Sequence, residues 1–107
     1  MQEKQFLYKL TLTETYKDPN NWTEETTKAI EEHAAFIHEL GRTGVLILAG
    51  RTQYTPQDER LFGIALIKAK DMAEAQEIMK NDPGVVNGIQ ASEFFEFNIG
   101  MNYTQNL

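Results

Sequence analysis

Apolar and polar residues alternate early in the chain. Phe6, Tyr8, Leu10 and Leu12 fall on one side and Leu7, Lys9, Thr11 and Thr13 on the other, which predicts a strand over 6–15 with one greasy face. The turn formers KDPNN at 17–21 follow. Thr23 then stands as an N-cap, with Glu24 and Glu25 in the first turn at the positive end of a helix dipole. That helix is predicted to run to Leu40 and to stop where Gly41 takes the left-handed conformation. The run VLILAG at 45–50 is apolar throughout and too short for a helix, so it reads as a strand buried on both faces. A polar connection, TQYTPQDER at 52–60, leads to a third strand at 61–67 that forms a hairpin with the second. Asp71, with Glu74 three residues on, opens a second helix whose apolar positions are Met72, Ala75, Ile78 and Met79. It must end before Asp82-Pro83-Gly84, because a residue preceding proline is pushed out of the helical region. Alternation returns at 92–99, where Phe95, Phe97 and Ile99 oppose Phe94, Glu96 and Asn98.

The order is βαββαβ, so the expected fold is α+β and ferredoxin-like: a four-stranded antiparallel sheet with two helices on one face. The other face is left bare. Since strands two and three are apolar on both sides, that face would expose more hydrocarbon than a monomer tolerates, and a homodimer packed sheet on sheet is expected.

Composition narrows the function classes. A chain of 107 residues has room for one core, predicted as a single domain over 1–100 with a C-terminal tail at 101–107. Cysteine is absent, which removes thiolate zinc sites and disulfides and leaves packing to hold the fold. Sixteen acidic residues against ten basic ones give a net charge of −6, with no basic footprint for nucleic acid or an anionic membrane surface. The first residues carry no signal-like apolar run and no stretch is long enough to span a bilayer, so a cytoplasmic location is expected.

On the first helix, His33 lies at the centre of the apolar stripe made by Ala29, Ile30, Phe36, Ile37 and Leu40. His38 lies about 140° away among charged residues, so the two imidazoles cannot share a metal, and no metal site is expected. A lone histidine on an apolar face is either a satisfied core residue or a working acid/base. In both cases it needs a partner, because an unpaired polar group in a core costs about 1–3 kcal/mol. Asp82 is the leading candidate: its loop follows the second helix, which lies beside the first. The sequence DPG also fits an N-cap with proline at N1 of a short helical turn, and the two roles are compatible. Paired with His33, the carboxylate would fix the tautomer and leave the other ring nitrogen to take or deliver a proton. No nucleophile completes a triad.

The segment His33-Ala34-Ala35-Phe36-Ile37-His38-Glu39-Leu40, the Gly44-Val45-Leu46 step, Ala49-Gly50, Ala75, Asp82-Pro83 and Gly88 resemble the YciI-like proteins over most of the chain. The resemblance implies the dimeric α+β barrel superfamily, whose subunits pair through their sheets, and a His/Asp pair lining a small cavity, here His33 and Asp82. Similar proteins include a dehydrochlorinase acting on a chlorinated hydroxyhydroquinone and, more distantly, muconolactone isomerases. The chain departs from the family where a proline commonly follows the Ala-Gly step and Arg51 stands instead. Arg51 turned inward would hold a carboxylate or phenolate; turned outward it would pair with the acidic surface, and Arg60 across the hairpin has the same two options. Tyr8 offers a hydroxyl to the cavity or serves as a core tyrosine, and Trp22 reads as packing at the start of the helix. The function expected is cofactor-free acid/base chemistry by His33 and Asp82 on a small polar or cyclic substrate. The alternatives are a non-catalytic ligand-binding or structural dimer and, by superfamily analogy alone, a haem-degrading or quinone-forming monooxygenase.

Overall fold

Strand β1 (Lys4–Leu12) alternates as its sequence demands, burying Phe6, Tyr8 and Leu10. The computed structural model describes residues 3–107, so the first two positions of the expected 1–100 unit lie outside the described residues. Two 3-10 turns, Glu14–Lys17 and Pro19–Asn21, carry the chain from β1 to helix α1 (Glu24–Arg42). Trp22 is anchored between them and the helix by its indole N–H, which donates to the Tyr16 carbonyl at 2.8 Å. Thr23 caps α1 reciprocally with Thr26: each backbone N–H donates to the other's hydroxyl. Then come β2 (Leu46–Arg51), β3 (Gly63–Ala69), α2 (Met72–Met79), the single-turn α3 (Pro83–Val86) and β4 (Gln90–Phe97). Asp71 caps α2 by accepting the Glu74 N–H at 2.9 Å, while Glu74 reaches back to the Lys70 N–H.

The four strands lie in the order β2-β3-β1-β4, with every neighbouring pair antiparallel. This is the ferredoxin-like α+β arrangement. The core lies between the sheet and its helices, where Phe6, Tyr8, Ile67, Ala75 and Met79 are sealed from water and Phe36, Ile37 and Leu40 of α1 pack against them. His33 shares that stripe. Among the described residues no helix is long and apolar enough to cross a membrane.

Three sequence expectations shift. Helix α1 continues through Gly41 to Arg42, and the left-handed residue is Gly44, at φ +86°. There Val45 N–H bonds the Leu40 carbonyl at 2.9 Å and Gly44 N–H the Gly41 carbonyl at 3.3 Å, the paired closure of a Schellman motif. Either glycine satisfied the sequence rule; only Gly44 lets Leu40 and Val45 both turn into the core. The strands also begin and end about two residues away from the alternating runs that announce them, at Leu12, Gly63, Gln90 and Phe97. Finally, β2 is not buried on both faces within this chain. It is an edge strand with an irregular register between Leu46 and Leu48, half-buried at first and exposed from Ala49 to Arg51.

The sheet face away from the helices carries Leu7 in register with Leu66 and Phe95, and Phe95 and Phe97 are 45% and 41% exposed. The segment from Phe97 to Thr104 borders a shallow groove with Leu7, Leu48 and Leu66, and the residues from Met101 on are exposed.

The two helix-end glycines should behave oppositely. Gly44→Ala forces a side chain into the left-handed region and should lower stability by roughly 1–2 kcal/mol. Gly41→Ala, whose new methyl meets only Leu46 at an ordinary 3.7 Å, should be neutral or stabilising by up to about 1 kcal/mol, as urea unfolding of both variants will measure.

Candidate active site

Asp82 lies between α2 and α3, and its position follows from the local sequence. Pro83 takes N1 of α3, where a missing N–H costs nothing, and the Asp82 side chain caps the turn by accepting the Gly84 N–H at 3.1 Å. Its carboxylate has no exposure to water. Such a group is costly unless donors surround it, and here they come from three elements. Oδ1 takes the Gly84 N–H and contacts His33 Nδ1 at 2.6 Å; Oδ2 accepts the Tyr8 hydroxyl at 2.8 Å. Residues 49 and 74 positions away in sequence thus converge on one side chain.

His33 projects from the middle of α1 with its side chain 17% exposed. With Nδ1 occupied by Asp82, its Nε2 has no protein partner among the described residues. The ring lines a cavity of about 580 Å³ on the helix side of the sheet, between α1, the outer ends of β1, β2 and β3, and the β2–β3 connection. Ile30, Ile37, Leu46, Leu61 and Phe62 supply apolar wall, and Trp22 and the exposed His38 also line it. A second hollow, about 650 Å³, lies outside α1 near Trp22 and Lys28; it is open surface and brings no acid/base pair together. Among the described residues no three His, Asp or Glu side chains assemble as a metal-binding group.

The structure brings His33 and Asp82 into contact and sets Arg51 in the cavity wall, exposed at the end of β2 and in no ion pair among the described residues. Tyr8 is not part of that wall. Its hydroxyl donates to Asp82, the cap of α3, and its ring is buried against Phe94 at 5.1 Å. Burial first, then the adjacent Asp82 charge and hydrogen bond, hold this phenol protonated well above the ordinary tyrosine range.

Arg60 is also absent from the wall. Its guanidinium grips Asp58 through two hydrogen bonds of 3.0 and 2.8 Å and lies 4.2 Å over the Tyr54 ring, which does line the cavity. Hydrogen bonding to Arg60 holds the Asp58 carboxyl down at about 2, so this clasp stays charged across the physiological range. Thr52 fastens the same connection by donating to the Arg60 carbonyl at 2.6 Å and accepting the Phe62 N–H at 3.0 Å. The rim is therefore a braced loop that presents Tyr54.

Sequence reasoning missed Trp22, Tyr54 and Gln90 as cavity residues. Tyr54 sits in a stretch without periodicity, and Trp22 precedes the helix; neither position carries a pattern that says which way it faces. Gln90 opens β4 opposite Leu12, so strand register alone could have found it.

Together these features define a ferredoxin-like α+β protein carrying a buried His–Asp pair at the wall of a cavity beneath its first helix. The chain belongs to the YCII-related domain family, whose model matches residues 10–98. Among solved structures it is similar to the 5-chloro-2-hydroxyhydroquinone dehydrochlorinase TftG from Burkholderia phenoliruptrix AC1100, in complex with 2,5-dihydroxybenzoquinone. That match has a TM-score of 0.58 at 16% identity and covers 90% of this chain and 95% of the other. It is also similar to SnoaB, a cofactor-independent oxygenase from Streptomyces nogalater, with a TM-score of 0.50 at 14% identity over 96% and 98% of the two chains. At these identities the likeness is one of fold. No curated protein matches the chain in sequence.

Because the Tyr8 phenol is held protonated in the folded protein, the unfolded chain releases this proton first as pH climbs past about 10. The stability it contributes is complete below that pH and is lost as pH rises further. In an alkaline absorbance titration, one of the four tyrosines should ionise only together with unfolding. Tyr8→Phe should remove that component and lower neutral-pH stability by about 1–3 kcal/mol, the cost of an unmatched buried acceptor.

Proposed function

We propose that this chain is a small enzyme that moves a proton to and from a cyclic, oxygenated substrate, with His33 as acid/base and Asp82 as the residue that orients it. The observation that carries the proposal is the 2.6 Å contact between His33 Nδ1 and the sealed Asp82 carboxylate, at the wall of a cavity of about 580 Å³. A carboxylate accepting from Nδ1–H leaves the lone pair of a neutral imidazole on Nε2. The cavity volume suits a single small ring, and its apolar walls strengthen the few charges within it by excluding water. Arg51 supplies a cation for a phenolate or carboxylate on that ring.

An elimination fits these parts without any further reagent. Nε2 carries a proton from one ring hydroxyl to the halide-bearing carbon, which makes the keto tautomer. A second ring hydroxyl then gives its proton to Nε2, its oxygen's electron pair becomes a carbonyl, the ring double bond shifts, and the halide leaves the saturated carbon with the displaced pair. The products are a quinone-type ring and HX, so nothing is oxidised by an outside agent and no cofactor is required. The fold-level likeness to a dehydrochlorinase supports this class, and isomerisation of a lactone uses the same proton returned to another atom. We also propose that two copies pair through the open sheet face, because Phe95 and Phe97 are exposed there and Leu7 beside Phe95 is only half-buried.

One observation favours a second reading. Both Asp82 oxygens are engaged within the fold, so the His–Asp pair would also serve a binding or structural dimer as a pin.

The test is chloride release from 5-chloro-2-hydroxyhydroquinone, run beside isomerisation of small unsaturated lactones. His33→Gln should lower turnover by a factor of about 10²–10⁴ while its circular dichroism is unchanged. In sedimentation at micromolar concentration it should still behave as a pair of chains. Equal rates in His33→Gln and the wild type contradict the catalytic role, and binding of 2,5-dihydroxybenzoquinone without turnover of any substrate favours the pin.

A further inference from the structure

Gln90 opens β4 on the helix-facing side of the sheet, where Leu12 pairs with it. Its side chain runs beneath α3 toward the cavity that His33 and Arg51 also line. Its amide oxygen is shut off from water and has no hydrogen-bond partner, the one such buried side-chain nitrogen or oxygen among the described residues. The oxygen lies against the bare Cα of Gly84: a methyl group there would approach it to 1.9 Å. Gly84 is also the residue whose N–H binds Asp82, so the Gln90 amide and the His33–Asp82 pair meet the same short turn.

Folding does not account for this amide. A buried polar atom without a partner lowers stability, and an apolar side chain of equal length would fill the space without that cost. Fully satisfied polar groups are the rule in protein interiors, and Tyr8, Asp82 and Thr26 obey it here. The terminal torsion of glutamine is broad and two-fold, so rotation about it carries the oxygen from Gly84 toward the cavity, the amide Nε2 group taking its place beside Gly84.

We propose that Gln90 is a ligand-positioning residue, its amide oxygen accepting a hydrogen bond from a hydroxyl group on a small ring bound beside His33. The proposal deepens the functional reading above and rests on the cavity being a ligand site. It adds that the ligand class carries a free hydroxyl, gripped by a residue that takes no part in proton transfer. An ether or a bare hydrocarbon ring leaves the amide unpartnered and is disfavoured for the same reason.

Hydroquinone and 1,4-dimethoxybenzene share a ring and differ in the O–H groups, so calorimetric or NMR titration with both reads the contact directly. The wild type should prefer hydroquinone by about tenfold, the worth of one well-formed hydrogen bond to a buried acceptor. Gln90→Met, which keeps length and volume, should cut that preference by roughly fivefold or more while leaving affinity for the dimethoxy compound unchanged. Its melting temperature should equal or exceed that of the wild type, since the stranded oxygen is gone; Gln90→Leu should repeat both results. A preference that survives in both variants overturns the proposal. A wild type that binds the two probes alike also overturns it and leaves the cavity reading intact, whereas one that binds neither overturns both. His33→Gln should keep the hydroxyl preference, which separates gripping the ligand from turning it over.

Discussion

A carboxylate taken completely out of water must be met by donors, and donors must be brought by something. In this chain that requirement falls on Asp82. The donors come from the middle of the central strand, from the middle of the long helix and from the short turn that the aspartate itself caps. Removing one of them leaves a buried carboxylate without full compensation, at a cost of about 1–3 kcal/mol for a neutral donor such as the Tyr8 hydroxyl. The placement of α1 over the sheet and of α3 against α1 is thus coupled to one side chain of zero exposure. The same coupling sets the direction of the imidazole. Since its Nδ1 is turned inward to the carboxylate, the remaining nitrogen belongs to the cavity side of the ring.

The cavity takes its form from what the packing leaves open. At the outer end of β2, Ala49, Gly50 and Arg51 are uncovered, and the space beneath α1 is bounded by the β2–β3 connection instead of by another helix. That connection is not loose. Thr52 ties its two ends, Asp58 holds Arg60, and Arg60 holds Tyr54 flat at the rim. A braced rim and a fixed imidazole are what proton transfer requires, because the reacting atoms must be held at hydrogen-bond distance for the step to be fast.

Much of this was legible in the amino-acid sequence, for reasons that differ residue by residue. His33 could be set on the buried stripe because helical periodicity carries direction, and Asp82 could be marked as a cap because a proline follows it. The contact between them is a tertiary fact that neither pattern contains; it depended on knowing that both helices share one face of the sheet. Tyr8 illustrates the limit. Alternation correctly turned it inward, yet an inward tyrosine can address a cavity or a buried acceptor, and only the position of α3 decides between them. The helix stop expected at Gly41 failed for a similar reason, since any glycine can take a left-handed conformation, and the packing of Leu40 and Val45 selects Gly44. Trp22 and Tyr54 stand where no period applies, Gln90 lies two residues before the alternating run that announced β4, and a cavity is a property of gaps between elements, which no run of residues spells out. The strands were found from their periods, while their ends follow from which partner strand runs out first.

The orientation of one ring is the claim beneath all of this, and nitrogen-15 NMR of the His33 side chain measures it most directly. With the ring neutral, Asp82 should hold the proton on Nδ1 and leave Nε2 with the chemical shift of a bare, acceptor nitrogen. A His33 that carries its proton on Nε2, with Nδ1 bare, would contradict the account, because Asp82 would then lose its imidazole donor and the cavity its base.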